Sequence, residues 1–385
     1  MSESDTLAPI ERASPRIIAT ERELARFAEP LIDAPILGID GEGDGLYRYR
    51  TRLCVIQIAV GDDVAIIDPL AIEDLSALAP VLGPHGPVKV VHDVSFDAKM
   101  LATRGLVLAN VRDTAVAARF LAEPSTGLGA MLQKYVGVEI DKDLQQADWG
   151  ERPIGEERLA YLAGDVLHLA ALGERLWERL RELDIVEEID EETRYAIARA
   201  LEPEPFKEPW TRIKGASDLD DAARGRLAEL ARVREDEAER RDVPPFRVVS
   251  NRTLLEAATK EPGSPGAVLA VRGMHKLGRG RVREALDRAA SAPTPERPGH
   301  DAPPPAERAR RKARERALTE WRKKEAELRG VDQQVVLPGH CLRDMSAIDG
   351  SDHETIARVA GLGEVRVSRY AAAITGVLRA AEAKG

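Results

Sequence analysis

The chain has 385 residues, 43% hydrophobic and 32% charged, with a net charge of −10. That length exceeds one ordinary core and predicts two or three domains, while the absence of an apolar run of about 20 residues excludes a membrane-spanning helix. Two distant cysteines, Cys54 and Cys341, exclude a disulfide framework or a zinc site built on cysteine alone, and the acidic balance restricts nucleic-acid binding to local patches.

In chain order, the first residues, Met1-Ser-Glu-Ser-Asp-Thr, lack the basic flank and apolar core of a secretory signal, so a reducing cytoplasmic setting is expected. Residues 34–40 read as a short apolar strand ending at an acid pair, Asp40 and Glu42. Strands follow at 53–60 and 64–68, separated by the hairpin signal Gly61-Asp-Asp, and again at 88–92. A helix over about 93–104 is predicted, with Asp93 as N-cap and Phe96 and Met100 on one face. Asp113-Thr114 reads as the start of a helix over 115–121, and 128–136 as another. Residues 156–183 read as one long helix whose stripe includes Leu159, Leu162, Val166 and Leu169. A hairpin followed by strand–helix units predicts an α/β domain with a mixed sheet over residues 1–200.

Residues 201–217 carry three prolines and read as a linker. Residues 218–290 are helical in character, with a break at Val243-Pro-Pro-Phe. A second proline-rich linker spans 291–306, and 307–385 is helical again. The two helical segments share a layout: a charged first helix, a Val-Pro or Leu-Pro break, then shorter helices around a glycine turn. They read as a divergent tandem pair of small all-α domains.

Asp40 and Glu42 are two apart in a strand, so both carboxylates point to one face. Such a pair repels unless a proton or cation intervenes, although interleaved Asp and Gly also fit an ordinary turn. Asp97 lies one turn inside its helix, where capping does not explain it. Tyr161 and Asp165 are four apart and share a helix face, which also fits an ordinary tyrosine beside a surface acid. His92 at a strand end is read as structural or as a substrate contact, Asp113 as a helix cap, and Trp149 as packing rather than base stacking. Arg308, Arg310, Arg311, Lys312, Arg314 and Arg316 give one helix more base than acid, suited to a phosphate backbone, but interspersed glutamates fit a solvated face equally.

These pieces together resemble the DEDD superfamily of 3′→5′ exonucleases in its tyrosine branch, and more specifically the ribonuclease D family. Asp40-x-Glu42 matches the first motif, His92-Asp-Val-Ser-Phe-Asp97 the second and Tyr161-x-x-x-Asp165 the third. The connecting segments Asp113-Thr-Ala-Val-Ala-Ala-Arg-Phe-Leu and Asp148-Trp-x-x-Arg-Pro-Ile resemble it as well. Gly41 and Gly43 depart from the Thr and aromatic residue common around the second acid, which bears on substrate contacts rather than on the acids. The helical segments resemble HRDC domains, with Asp242-Val-Pro-Pro-Phe-Arg a close match and Val336-Leu-Pro-Gly-His-Cys-Leu a fainter one.

The resemblance implies a ribonuclease H-like α/β exonuclease domain followed by two HRDC-like domains. It implies two divalent ions, Mg²⁺ or Mn²⁺, held by Asp40, Glu42, Asp97 and Asp165, with Tyr161 positioning water. Oxygen-only ligands favour those ions over Zn²⁺. The implied substrate is an RNA 3′ end, transfer-RNA precursors first, cut by a monomer to nucleoside 5′-monophosphates. Two rivals fit the same residues: a DNA-directed 3′→5′ exonuclease, and a weakly catalytic HRDC adaptor that only binds nucleic acid.

Overall fold

The apolar segments of the first half assemble into a six-stranded sheet in a computed structural model that describes residues 15–141, 143–260, 264–297 and 303–383. The first residues read for a signal, and part of the second proline-rich segment, lie outside those residues. The strands are β1 (Arg16–Ile18), β2 (Ile36–Gly43), β3 (Leu53–Val60), β4 (Asp63–Ile67), β5 (Val88–Val91) and β6 (Val111–Asp113), in the order β1-β4-β3-β2-β5-β6. The β2–β3 and β3–β4 pairs are antiparallel and the other three parallel, so the sheet is mixed as expected. Val60 pairs with Asp63 across the predicted hairpin turn, where Gly61 takes a positive φ of 56°. The edge strands β1 and β6 were not anticipated, because three residues are too few to show alternation.

Among the described residues, eight helices surround the sheet: α1 (Glu21–Leu31), α2 (Ala79–Leu82), α3 (Val94–Ala102), α4 (Thr114–Phe120), α5 (Leu128–Tyr135), α6 (Glu156–Leu167), α7 (Leu169–Glu182) and α8 (Val186–Leu201). On one sheet face Ile39, Ile56, Ile58 and Ile67 bury against Leu24 of α1 and Ala98 and Leu101 of α3. On the other, Ala59 and Val90 pack with Val166 and Leu169. Here Gly38 is required: a Cβ on it would meet the Val166 carbonyl oxygen at 2.5 Å. Any side chain at position 38 would therefore push α6 off the strand that carries Asp40.

The long helix expected over 156–183 is two helices, broken at His168, whose φ and ψ are −105° and 2°. The apolar stripe runs through the break in register, so periodicity could not reveal it. The break lets α6 lie on β3 and β4 while α7 follows β2 and β5. Asp93 also departs from expectation. It occupies the N-cap position of α3 with φ 69° and makes no side-chain capping bond. Asp113 caps both helices instead, accepting from the N–H groups of Asp93 and Val94 and from those of Ala115 and Val116.

The chain divides into two compact units, the first formed by Met1–Gly43, Leu53–Glu202 and Pro305–Gly385, the second by Asp44–Arg52 and Pro203–Pro304. In the second, α9 (Asp221–Arg241), α10 (Pro245–Val248), α11 (Asn251–Ala258), α12 (Pro265–Ala270) and α13 (Arg279–Ser291) enclose Leu227, Leu230, Leu254, Val268 and Val282. Trp210 and Ile213, from the segment read as a linker, are buried in that core. The loop joining β2 to β3 belongs there too: Arg50 pairs with Glu239 at 2.8 Å, and the Tyr49 N–H donates to Asp242.

The C-terminal part of the first unit comprises α14 (Pro305–Arg329), α15 (Gln333–Val336), α16 (Gly339–Ala347), α17 (His353–Ala357) and α18 (Glu364–Glu382) around Leu318, Val336, Met345, Ile356 and Ile374. Several bases expected to follow a phosphate backbone are used internally. Arg310 and Arg311 both bind Glu307 at 2.7 Å. Arg314 is buried, pairs with Glu382 and donates to the Ile348 carbonyl at 2.6 Å. Charge sign along a sequence does not tell which way an arginine points.

Candidate active site

Strand β2 carries Asp40 and Glu42 to its C-terminal end, and both face the layer containing α6. Asp40 stands opposite Gln57 of β3, and Glu42 opposite Val55, just before a register shift at Gly43. From α6, Asp165 approaches the same face. One carboxylate oxygen from each of Asp40, Glu42 and Asp165 lies within 4.8 Å of the others. The close packing at Gly38 described above sets how near α6 brings Asp165.

Asp97 is not in that group of three. It comes from α3, on the opposite sheet face, and reaches β2 at Gly41, where an added Cβ would sit 3.0 Å from its Oδ1. That oxygen is buried with no hydrogen-bond partner among the described residues. The Asp40 charge is nonetheless felt there, second only to burial in raising the Asp97 pKa well above the carboxylate range. The acids thus close on the end of β2 from both faces, three from one side and one from the other.

Crowding and burial raise the pKa of each of these carboxyl groups above its ordinary value. Burial raises the Asp40 pKa to about 6, opposed by the Gly41 backbone N–H. Asp165 is raised to about 7 by burial and then by Asp40. Glu42 is pushed up to about 9 by burial, then by Asp40 and Asp165. A divalent cation among these oxygens would discharge the protons and replace repulsion with attraction. Oxygen donors without thiolate or imidazole suit a hard cation such as Mg²⁺ or Mn²⁺.

Tyr161 sits one turn before Asp165 and donates its phenol proton to that carboxylate. Burial, then the charges of Asp165 and Glu42, raise the phenol pKa, so it stays protonated at neutral pH. Its ring lies 5.7 Å from that of Trp149. Trp149 is buried with Val55, Ile66 and Leu162 and backs the tyrosine, in keeping with a packing role. The loop bearing Trp149 is tied down by Arg152, which donates to the Trp149 and Cys54 carbonyls and pairs with Asp68, each at 2.7 Å. The His92 Nδ1 lies 2.9 Å from the Thr114 hydroxyl, which itself donates to the Val91 carbonyl. His92 thus joins β5 to α4.

Two residues escaped the sequence reading. Arg152 belongs to the connecting segment Asp148-Trp-x-x-Arg-Pro-Ile, but no role was read for it, and nothing local in the sequence pairs it with Asp68. Gln57 gave a signal that went unread: one carboxamide inside an otherwise apolar strand, Leu53-Cys-Val-Ile-Gln-Ile-Ala-Val.

A family model described as "3'-5' exonuclease" matches residues 15–181, and one described as "HRDC domain" matches 223–282 and 311–378. Among curated proteins, the chain is 30% identical over 266 residues to "Ribonuclease D" of Sphingobium indicum, covering 67% of each. It is 30% identical over 287 residues to "Ribonuclease D" of Zymomonas mobilis, covering 71% of this chain and 72% of that one. Among solved structures, a protein from Bifidobacterium adolescentis superposes with a TM-score of 0.80 at 20% identity, covering 96% of this chain and 98% of that one. Escherichia coli RNase D, described as an exoribonuclease involved in structured RNA processing, gives 0.71 at 24%, covering 96% and 99%. Both structures share the fold.

Proposed function

This chain belongs to the ribonuclease D family and is a 3′→5′ exoribonuclease, and from that premise we propose that Asp40, Glu42, Asp97 and Asp165 hold two Mg²⁺ or Mn²⁺ ions while Tyr161 positions the attacking water. The observation that carries this reading is the convergence of three carboxylate oxygens within 4.8 Å, on groups whose pKa values burial and mutual repulsion raise. Bound there, the ions supply charge to the attacking and leaving oxygens of an in-line displacement.

The protein's own groups do the rest. Asp40, central to the cluster, would hold the ions together with Glu42 and Asp165 from one sheet face and Asp97 from the other. Tyr161 keeps its proton, so it serves as a hydrogen-bonding group that fixes the water's orientation and not as the base. Trp149 holds the tyrosine ring in place behind it.

In this reading the substrate is an RNA 3′ end, transfer-RNA precursors first, and the products are nucleoside 5′-monophosphates. The curated relatives named Ribonuclease D support that choice, as does the part the E. coli enzyme takes in structured RNA processing. The protein acts as a cytoplasmic monomer, with domains at 1–200, 218–290 and 307–385, the latter two contacting nucleic acid. The adaptor alternative is disfavoured because all four acids and the tyrosine are present.

Matched single-stranded RNA and DNA oligonucleotides of one sequence test the reading, each with Mn²⁺ and with a chelator. Mononucleotide release from the RNA 3′ end, abolished by the chelator, is expected. Faster degradation of the DNA would move the assignment to a DNA-directed exonuclease, and no release from either would leave the adaptor.

A further inference from the structure

Gln57 is fully buried, and neither its Oε1 nor its Nε2 has a hydrogen-bond partner among the described residues. A buried carboxamide left unsatisfied on both ends is costly, and native folds rarely keep one without a reason. Its neighbours on the same face of β3, Val55 and Ala59, are plain apolar residues.

The register shows what the amide faces. Gln57 pairs directly with Asp40 on one side and with Ile66 on the other. Directly opposed residues of an antiparallel pair present their side chains to the same face, about 5 Å apart at Cβ. Val55 and Ala59, two residues away on either side, are buried on that face in the layers built on Leu162 and Val166 of α6. Gln57 is thus enclosed between the sheet and the helix that carries Asp165, with Asp40 as its polar neighbour across the strand.

Resting on the metal-site reading above, we propose that Gln57 is a positioning residue for Asp40. With a cation held at the site, the Gln57 amide would donate to the Asp40 carboxylate across the strand pair. That bond fixes the orientation of the acid at the centre of the cluster, the support that ligating carboxylates generally receive from surrounding hydrogen-bonding groups.

The test is Mn²⁺ binding by calorimetry on the full chain, with thermal melting of the metal-free protein and RNA kinetics in parallel. Gln57→Leu and the near-isosteric Gln57→Met remove the donor while keeping the volume, and Asp40→Asn is the control. We expect Gln57→Leu and Gln57→Met to melt at or above the wild-type temperature without metal. They should bind Mn²⁺ about 10-fold more weakly and lower kcat with KM for RNA unchanged. Wild-type Mn²⁺ affinity and kcat in both variants would overturn the proposal, as would a metal-free melting temperature that falls in step with the lost affinity. If Asp40→Asn itself binds Mn²⁺ like wild type, the metal-site reading fails and this proposal fails with it. If only the Gln57 variants do, the site stands without Gln57.

Discussion

At the end of β2, Asp40, Glu42 and Asp165 bring three carboxyl groups together, and among the described residues no basic side chain offsets their raised pKa values. On α8 the same unit places Glu188 and Glu191 among arginines. Arg329 and Arg369 bind the Glu188 carboxylate at 3.2 and 3.0 Å. Arg366, fully buried, donates to the Val335 and Glu188 carbonyls and lies 3.7 Å from Glu191. Both clusters hold buried acid, but one is neutralised by the fold and the other is not. Charge that the chain balances internally belongs to its architecture. Charge left unbalanced waits for something from solution, and that difference separates the site from the scaffold.

Breaking each cluster should have opposite consequences. The largest effect is expected from Asp40→Ala or Asp165→Ala, which should reduce nucleotide release from single-stranded RNA to background. The metal-free protein should melt at or above the wild-type temperature, since a repelling group is gone. By contrast, Arg366→Ala should cost about 3–5 kcal/mol of stability in urea unfolding by stranding buried partners, with activity per folded molecule retained. A destabilised Asp40→Ala beside a neutral Arg366→Ala would invert the comparison.

Tyr161→Phe sharpens it further. A drop in kcat of about 100-fold with unchanged RNA affinity and unchanged Mn²⁺ affinity is expected, because the phenol touches the acids without balancing their charge. Weaker RNA binding at unchanged turnover would instead make the tyrosine a substrate contact.

A smaller effect follows from pH. The site acids keep their protons in the folded, metal-free chain where the unfolded chain has lost them, so the folded state binds more protons and their contribution to stability falls as pH rises. The window runs from the ordinary carboxylate range near 4 up to the Glu42 value of about 9, through about 6 for Asp40 and about 7 for Asp165. Mn²⁺ should therefore raise the melting temperature more at pH 8.5 than at pH 6. Equal shifts at both pH values would mean that the bound ion does not displace those protons.

The sequence made half of this contrast readable. Strand alternation put Asp40 and Glu42 on one face, and helix spacing put Tyr161 above Asp165. It could not tell that Asp97 arrives from the other sheet face, because that depends on how α3 packs across Gly41. The break at His168 was hidden by a stripe that continues through it. Strands β1 and β6 were too short for any period. The balanced cluster was illegible for a related reason: Arg366 and Glu188 are 178 residues apart, and nothing local marks them as partners. The same limit made Arg314 look like a phosphate contact when it is an internal tie.

The claim that the β2 cluster is charge left open for a divalent ion is tested most directly by proton release. Mn²⁺ would be titrated calorimetrically into the metal-free chain at pH 7, in buffers of different ionisation enthalpy. The account predicts protons released on binding in the wild type and loss of both binding and release in Asp165→Ala. Mn²⁺ binding without proton release, or unchanged release in that variant, would contradict it.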